Sequence, residues 1–290
     1  MTQAAPVDWH AVISMREVQQ LVAVAIAEDV GTGDVTTQAI FAAATPGAAA
    51  IITRTPTVVA GLAMAELVLR FFDANLEFES VVSDGASALA GATLCRMRGD
   101  LRAILTGERC ALNFLMRLCG IATAARAAVE AVPEGCKARI FDTRKTLPGW
   151  RRLDKAAVRC GGAENHRVGL FDAVLIKDNH VAGAGSIARA VALARARVAR
   201  KMPVEVEIDG LEQLDEALGA GPDIILLDNF EVEAIAEAVR RVEGRVMLEA
   251  SGGITQANIA AVARTGVDRI SLGALTHSVR PADLSLEIAS

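Results

Sequence analysis

None of the five cysteines (Cys95, Cys110, Cys119, Cys136 and Cys160) falls in a C-x-x-C pair, and their number is odd. This pattern excludes a cysteine-built zinc site and a disulfide framework, and it points to a reducing cytoplasm. Cys160 lies near a basic stretch but reads as a buried structural thiol. No apolar run reaches the ~20 residues of a membrane span without interruption. The first thirty residues lack a basic start, an apolar run and a small-residue cleavage site, so no secretory signal is expected. An excess of basic residues is also missing. The 30 Lys and Arg against 35 Asp and Glu give a net charge of −5, which argues against nucleic-acid or anionic-membrane partners. No G-x-G-x-x-G follows a first strand, so a dinucleotide-binding sheet is not indicated.

The chain does carry ample core material, 52% hydrophobic against 22% charged over 290 residues, enough for one large domain or two ordinary ones. Its cations are unevenly spread. From Lys137 to Lys177 there are ten Lys or Arg and four Asp or Glu, a local +6 in an acidic chain. Such a gathering suits a small anionic ligand. Arg151, Arg152, Lys155 and Arg159 share a predicted helix and read as its solvated face. Arg144, Lys145 and Lys177 follow directly on apolar, strand-like runs and do not fit that description.

In the first part, apolar spacing predicts a helix over 16–28, ending in a Gly/Asp/Thr turn at 28–34. Short strands are expected at 48–54, 57–60, 76–82, 93–98 and 101–105, with a helix over 61–73. A long apolar helix opens at Gly107 and runs to about Glu130, which places Arg109 near its start. A cation there opposes the helix dipole and needs an anionic partner or a surface salt bridge. After Pro133 the pattern becomes β-α traffic. Strands are expected at 138–141, 173–176, 204–208, 224–227, 245–248 and 269–272. Helices are expected at about 149–159, 186–200, 211–219, 231–242 and 255–264. Continuous apolar strands alternating with helices predict a parallel sheet with both faces covered. An incomplete α/β barrel fits better than a Rossmann sheet.

Each of these strands ends in polar or glycine residues: Asp142-Thr143-Arg144-Lys145, Lys177-Asp178-Asn179-His180, Asp209 after Glu205 and Glu207, Asp228-Asn229, Glu249-Ala250-Ser251-Gly252-Gly253, and Leu272-Gly273-Ala274. Barrel active sites are built at the carboxyl ends of the strands. Arg144, Lys145, Arg167 and Lys177 suit several carboxylates or phosphates. Glu207 and Asp228 are hard oxygen ligands for Mg²⁺ or sugar hydroxyls. The turn at 251–253, opening onto a helix, suits a phosphate, and Gly273-Ala274 offers a second such approach.

The motifs D-T-R-K-T-x-P-G (142–149), G-G-x-x-N-H-R (161–167), L-I-K-D-N-H (175–180) and E-A-S-G-G-I (249–254) resemble quinolinate phosphoribosyltransferase. E-D-x-G-x-G-D-x-T-T (28–37) and E-R-x-x-L-N (108–113) extend the resemblance over nearly the whole chain. It implies an N-terminal α+β sandwich domain over 1–115, with residues about 278–290 packing back on it. A six- to seven-stranded parallel α/β barrel over 116–277 follows. It implies transfer of phosphoribosyl from phosphoribosyl pyrophosphate to quinolinate with loss of CO₂, giving nicotinate mononucleotide and pyrophosphate, with Mg²⁺, in a cytoplasmic homodimer or a hexamer of dimers. By motif, Thr143, Arg144, His166, Arg167 and Lys177 would hold quinolinate, with Arg109 arriving from the neighbouring subunit. Lys145 would contact quinolinate or the diphosphate. Glu207 and Asp228 would serve the ribose and the metal, directly or through water. Ser251, Gly252, Gly253, Leu272, Gly273 and Ala274 would cradle the 5′-phosphate near His277. The sequence departs from the family where a third glycine often follows Gly161-Gly162, with Ala163 and then Glu164, whose carboxylate is expected to point outward.

The alternatives are the related protein encoded beside molybdate transporters, a Schiff-base lyase working through Lys145 or Lys177, and a non-catalytic nucleotide binder. Arginines around the lysines favour an anion pocket over a Schiff base.

Overall fold

The computed structural model describes residues 7–289. The chain first forms α1 (Trp9–Ile13), α2 (Arg16–Val30), α3 (Val35–Ile40), β1 (Pro46–Thr53), β2 (Thr57–Val58) and α4 (Leu62–Phe72). Then come β3 (Glu77–Ser80), β4 (Ser87–Ala88), β5 (Thr93–Asp100), α5 (Leu101–Glu130), β6 (Arg139–Phe141), α6 (Arg151–Cys160), β7 (Val174–Ile176) and α7 (Asp178–Ala184). There follow α8 (Ile187–Arg195), β8 (Val204–Ile208), α9 (Leu214–Ala220), β9 (Ile224–Asp228), α10 (Val232–Val242) and β10 (Met247–Ser251). The last elements are α11 (Ile259–Arg264), β11 (Arg269–Ser271), α12 (Ala274–His277) and β12 (Leu284–Ile288). The described residues form two compact units, one of 7–126, 146–162 and 275–289, the other of 127–145 and 163–274. Residues 146–162, expected within the barrel domain, thus cluster with the first unit.

The first unit is built on an antiparallel sheet in the order β12-β1-β5-β3. Its C-terminal strand β12 pairs with β1, Leu286 opposite Ile51. The turn at 28–34 is structural. Asp34 caps α3, its Oδ1 accepting from Thr37 N–H at 2.9 Å and its Oδ2 from the Thr106 hydroxyl at 3.1 Å. Residues 101–105, expected as a strand, instead open α5. Asp100 Oδ1 accepts from Arg102 N–H at 3.1 Å and starts the helix. Buried Ile104, Ala111, Leu115, Leu118 and Ala122 continue one helical stripe. A five-residue window is too short to separate the two periods. Arg109 therefore lies well past the first turn of α5, exposed, and the dipole argument does not apply to it. By length and composition α5 could cross a membrane, yet 56% of its most apolar window is buried inside the protein, as in a core helix.

A bidentate pair ties α6 to α5. Arg117 Nε and Nη2 donate to Asp154 Oδ1 and Oδ2 at 3.0 and 2.8 Å, and Nη2 also donates to Thr276 O at 3.0 Å. Phe114 stacks on Trp150 with centroids 4.7 Å apart. The α6 helix is not the amphipathic helix its charges suggested. Leu153 to Val158 are all buried, Lys155 among them, so the helix is enclosed on most sides, and only Arg151, Arg152 and Arg159 reach partway to solvent.

The second unit holds a six-stranded parallel sheet in the order β6-β11-β10-β9-β8-β7. This is barrel order with one break. The first strand pairs with the last, Phe141 beside Ser271, while β6 and β7 share no ladder. The loop after α6 runs beside β6, where Glu164 bridges Phe141 in parallel. The fifth strand lies two to three residues later than expected, at Met247–Ser251, and α7 was not expected.

Asp154 is fully buried and its carboxyl is pushed up by burial, more than Arg117 pulls it down. Arg117→Met would strand that carboxylate. It is expected to destabilise the protein by ~3–5 kcal/mol, measured by denaturant unfolding.

Candidate functional site

Parallel pairing in register sends alternate residues of neighbouring strands to the same face. On β8 that face carries Glu205 and Glu207, since Val204, Val206 and Ile208 take the other. Glu207 neighbours Leu226, Leu226 neighbours Glu249, and Glu249 neighbours Arg269. Two positions further along, on the same face, Asp228 neighbours Ser251, Ser251 neighbours Ser271, and Ser271 neighbours Phe141. A sheet face of apolar strands thus bears a belt of charge.

At the strand ends the expected residues meet in sequence. Lys177 Nζ contacts Glu207 Oε2 in a short ion pair. Asp228 Oδ2 accepts from the Asn229 amide at 2.9 Å, and Asn229 N–H donates to Ser251 O at 2.8 Å. Gly252 has φ +83° and sits so near that an added Cβ would lie 2.2 Å from Asn229 Oδ1. The next residue, Gly253, has φ +63°. Leu272 is buried and its N–H donates to Phe141 O at 2.9 Å, which sets Gly273 and Ala274 beside the end of β6. Thr143 Oγ1 accepts from Lys145 N–H at 3.1 Å and shapes the turn that presents Arg144, half-buried, and Lys145, exposed. The turn at 251–253 does not open onto a helix. The α11 helix begins only at Ile259, and Asn258 occupies the gap, accepting from Thr255 N–H at 2.8 Å and donating to Gly253 O at 3.2 Å. Arg109 and His277 belong to the first unit, where His277 Nδ1 lies 2.7 Å from Ser278 Oγ and both residues are exposed.

Arg167 feels the charge of Arg144. Arg167 donates to Ala173 O at 3.3 Å, and its guanidinium is held below its usual range by partial burial and then by the charge of Arg144, against Glu205 and Asp172. Two guanidiniums kept together out of bulk water favour an anion between them. Glu164 points away from them, both its oxygens 3.0 Å from Arg139 Nη1.

His166 sits among groups that the motifs did not assign. The fully buried Asp142 accepts its backbone N–H at 2.8 Å. Its Nδ1 accepts Arg167 N–H at 2.8 Å, so Nδ1 carries the lone pair and the ring proton is on Nε2. Nε2 lies 3.0 Å from Glu205 Oε2 and 3.4 Å from Glu249 Oε1. The Ser271 hydroxyl donates to Glu249, and Arg269 stands 3.8 Å from it. Among the described residues, His166, Glu205 and Glu249 form the metal-like trio, with ligand atoms within 4.8 Å. A metal on Nε2 would need the lone pair there and the proton on Nδ1, against the incoming Arg167 N–H. The trio is therefore a hydrogen-bonded cluster. The signal for it was V-E-V-E-I, where a strand buried on both faces repeats a carboxylate at the polar period.

Fold and rim define an α/β-barrel protein whose strand ends gather cations, carboxylates and glycine turns. The family model for the N-terminal domain of quinolinate phosphoribosyl transferase matches residues 34–119, and that for its C-terminal domain matches 121–287. The chain belongs to the quinolinate phosphoribosyl transferase family. It is 47% identical to the nicotinate-nucleotide pyrophosphorylase [carboxylating] of Mycobacterium leprae, over 91% of this chain and 94% of that protein. It is 41% identical to the probable enzyme of that name from Bacillus subtilis, over 90% of each. The solved nicotinate-nucleotide pyrophosphorylase of Francisella tularensis superposes with a TM-score of 0.88 at 42% identity, covering 94% of this chain and 96% of that one.

Burial, then the charge of Glu205, pushes the Glu249 carboxyl from 4.5 up to about 7. Between those values the folded state holds a proton that the unfolded state has lost, so this group's contribution to stability falls as pH rises from 4.5 to about 7. Glu249→Gln mimics the protonated form. It should gain stability relative to the unsubstituted protein across that window, as read by unfolding at several pH values. Equal pH dependence of the two would refute the shift.

Proposed function

We propose that the rim of the second unit carries out the family reaction on this chain. Phosphoribosyl passes from phosphoribosyl pyrophosphate to quinolinate, with release of pyrophosphate and CO₂ and formation of nicotinate mononucleotide. The observation that carries this reading is the gathering of cations at the strand ends, where Lys177 pairs with Glu207 and Asp142 ties the loop of His166 and Arg167 to the turn that carries Arg144. A diacid offers Arg144 and Arg167 hydrogen bonds of the charge-assisted kind. Thr143, Lys145 and Lys177 surround the same substrate, and His166 stands behind Arg167.

Glu207 and Asp228 supply hard oxygen donors that fit Mg²⁺, each already held by one neighbour, Lys177 and Asn229 respectively. When bound, Mg²⁺ would neutralise charge on the diphosphate. The two carboxylates would also offset the positive charge that develops on the ribose as pyrophosphate departs. The pyridine nitrogen then attacks, the adjacent carboxylate leaves as CO₂ with its bonding electrons kept on the ring carbon beside the cationic nitrogen, and that carbon takes a proton from water. The turn at Ser251, Gly252 and Gly253 takes the 5′-phosphate through backbone N–H groups, with Leu272 holding Gly273 and Ala274 at the neighbouring strand end. Arg109, exposed on α5, completes the site of a neighbouring subunit in a homodimer. Four of the five free cysteines are buried, which suits a cytoplasmic location. A Schiff-base lyase fares worse, because Lys177 is paired with a carboxylate and Lys145 is exposed, whereas that chemistry wants a lysine in an apolar surround.

Incubation with quinolinate, phosphoribosyl pyrophosphate and Mg²⁺ should yield nicotinate mononucleotide, with nicotinate as an inert control acceptor. Arg167→Ala and Lys145→Ala should each lower kcat/KM roughly tenfold to a hundredfold with little change in melting temperature. Unchanged turnover in Lys145→Ala would remove that residue from the site.

A further inference from the structure

The reaction as assigned makes no use of two of the most deeply buried charged groups in the second unit. Glu205 and Glu249 are 3% and 0% exposed and stand on β8 and β10 beneath the cationic rim. Two such carboxylates are costly unless something holds them. Ser271 and Arg269 attend Glu249, yet one oxygen of each carboxylate, Glu205 Oε1 and Glu249 Oε2, has no hydrogen-bond partner. Both remaining oxygens converge on a single atom, Nε2 of His166. The opposite nitrogen of the same ring accepts the backbone N–H of Arg167. Both ring nitrogens are therefore engaged within the protein, and the imidazole presents no N–H toward a substrate carboxylate.

We propose that Glu205 and Glu249 are positioning residues for quinolinate. By accepting from Nε2 they fix His166 in the tautomer whose Nδ1 grips the Arg167 N–H, and this aims the Arg167 guanidinium at the anion it shares with Arg144. His166 then acts through Arg167 and not by touching the diacid. Asp142 secures the preceding N–H of the same loop, so the backbone at 166–167 is held from both sides. Without the carboxylates the ring proton is free to move to Nδ1, where it would repel the Arg167 N–H. The inference rests on the reading of Arg144 and Arg167 as the groups that bind quinolinate.

The test joins two readouts on the full-length protein: the ¹⁵N signature of the His166 ring, and KM for each substrate separately. The intact protein should show His166 protonated at Nε2 alone. Glu205→Met and Glu249→Met should lose that single-tautomer signature. Both should raise KM for quinolinate by roughly tenfold or more, with a smaller effect on KM for phosphoribosyl pyrophosphate. Glu249→Gln keeps an acceptor oxygen and should recover most of the loss seen in Glu249→Met. A His166 protonated at Nδ1 or at both nitrogens in the intact protein overturns the proposal with no variant needed. Loss of the tautomer without a selective rise in quinolinate KM overturns it too. Should Glu205→Met fail to fold, Glu205→Asp, which withdraws the carboxylate by one methylene, is held to the same two readouts. Arg167→Ala separates the levels: if it leaves quinolinate KM unmoved, the substrate assignment itself fails, whatever the state of the ring.

Discussion

The parallel ladder between β6 and β11 is the constraint on which the second unit depends. Ile140 pairs with Ile270 and Phe141 with Ser271, so the first and last strands of the β-α series lie side by side. That pairing brings the turn carrying Thr143, Arg144 and Lys145 next to the loop after Leu272, whose N–H it ties to Phe141 O. The sheet's opening falls instead between β6 and β7, and the chain uses it for the loop that carries His166 and Arg167. From there one imidazole reaches carboxylates on β8 and β10, two strands apart.

Charge in this unit is layered. The belt on the sheet face sets Glu205 and Glu249 against Arg269 and the His166 ring, while the strand ends above it carry Lys177 with Glu207, then Asp228 and the glycine turn. Phe141 lies under Arg269 and Arg139, their guanidinium carbons 4.7 and 5.5 Å from its centroid, so these arginines are held by an aromatic face as well as by carboxylates. Such an arrangement keeps cations oriented with no ligand present. The Glu205 carboxylate also partly offsets the charge of Arg144 on Arg167.

Much of the fold was legible because the signals were local and periodic. Six strands of the β-α series and most of their helices follow from apolar runs punctuated by glycine and polar clusters. The misreadings have local causes. Leu101–Leu105 is too short for its period to be decided, and it became the first turns of α5 once Asp100 capped it. Lys155 looked solvent-facing because its neighbours are charged, yet α6 is enclosed on most sides. The 251–253 turn looked like a helix entry, but Asn258 interposes its own hydrogen bonds before α11.

By itself the sequence determined the order of the six strands of the β-α series, the family, and which strand ends carry cations, carboxylates and glycines, because each of these is written in contiguous residues. Tertiary structure alone decided where the barrel order breaks, that Lys177 pairs with Glu207, and that both nitrogens of His166 are taken. Those facts join residues dozens of positions apart through hydrogen bonds whose direction depends on ring orientation and proton placement. No spacing along the chain encodes that orientation, since strand register and sheet curvature set it only when the whole unit has closed.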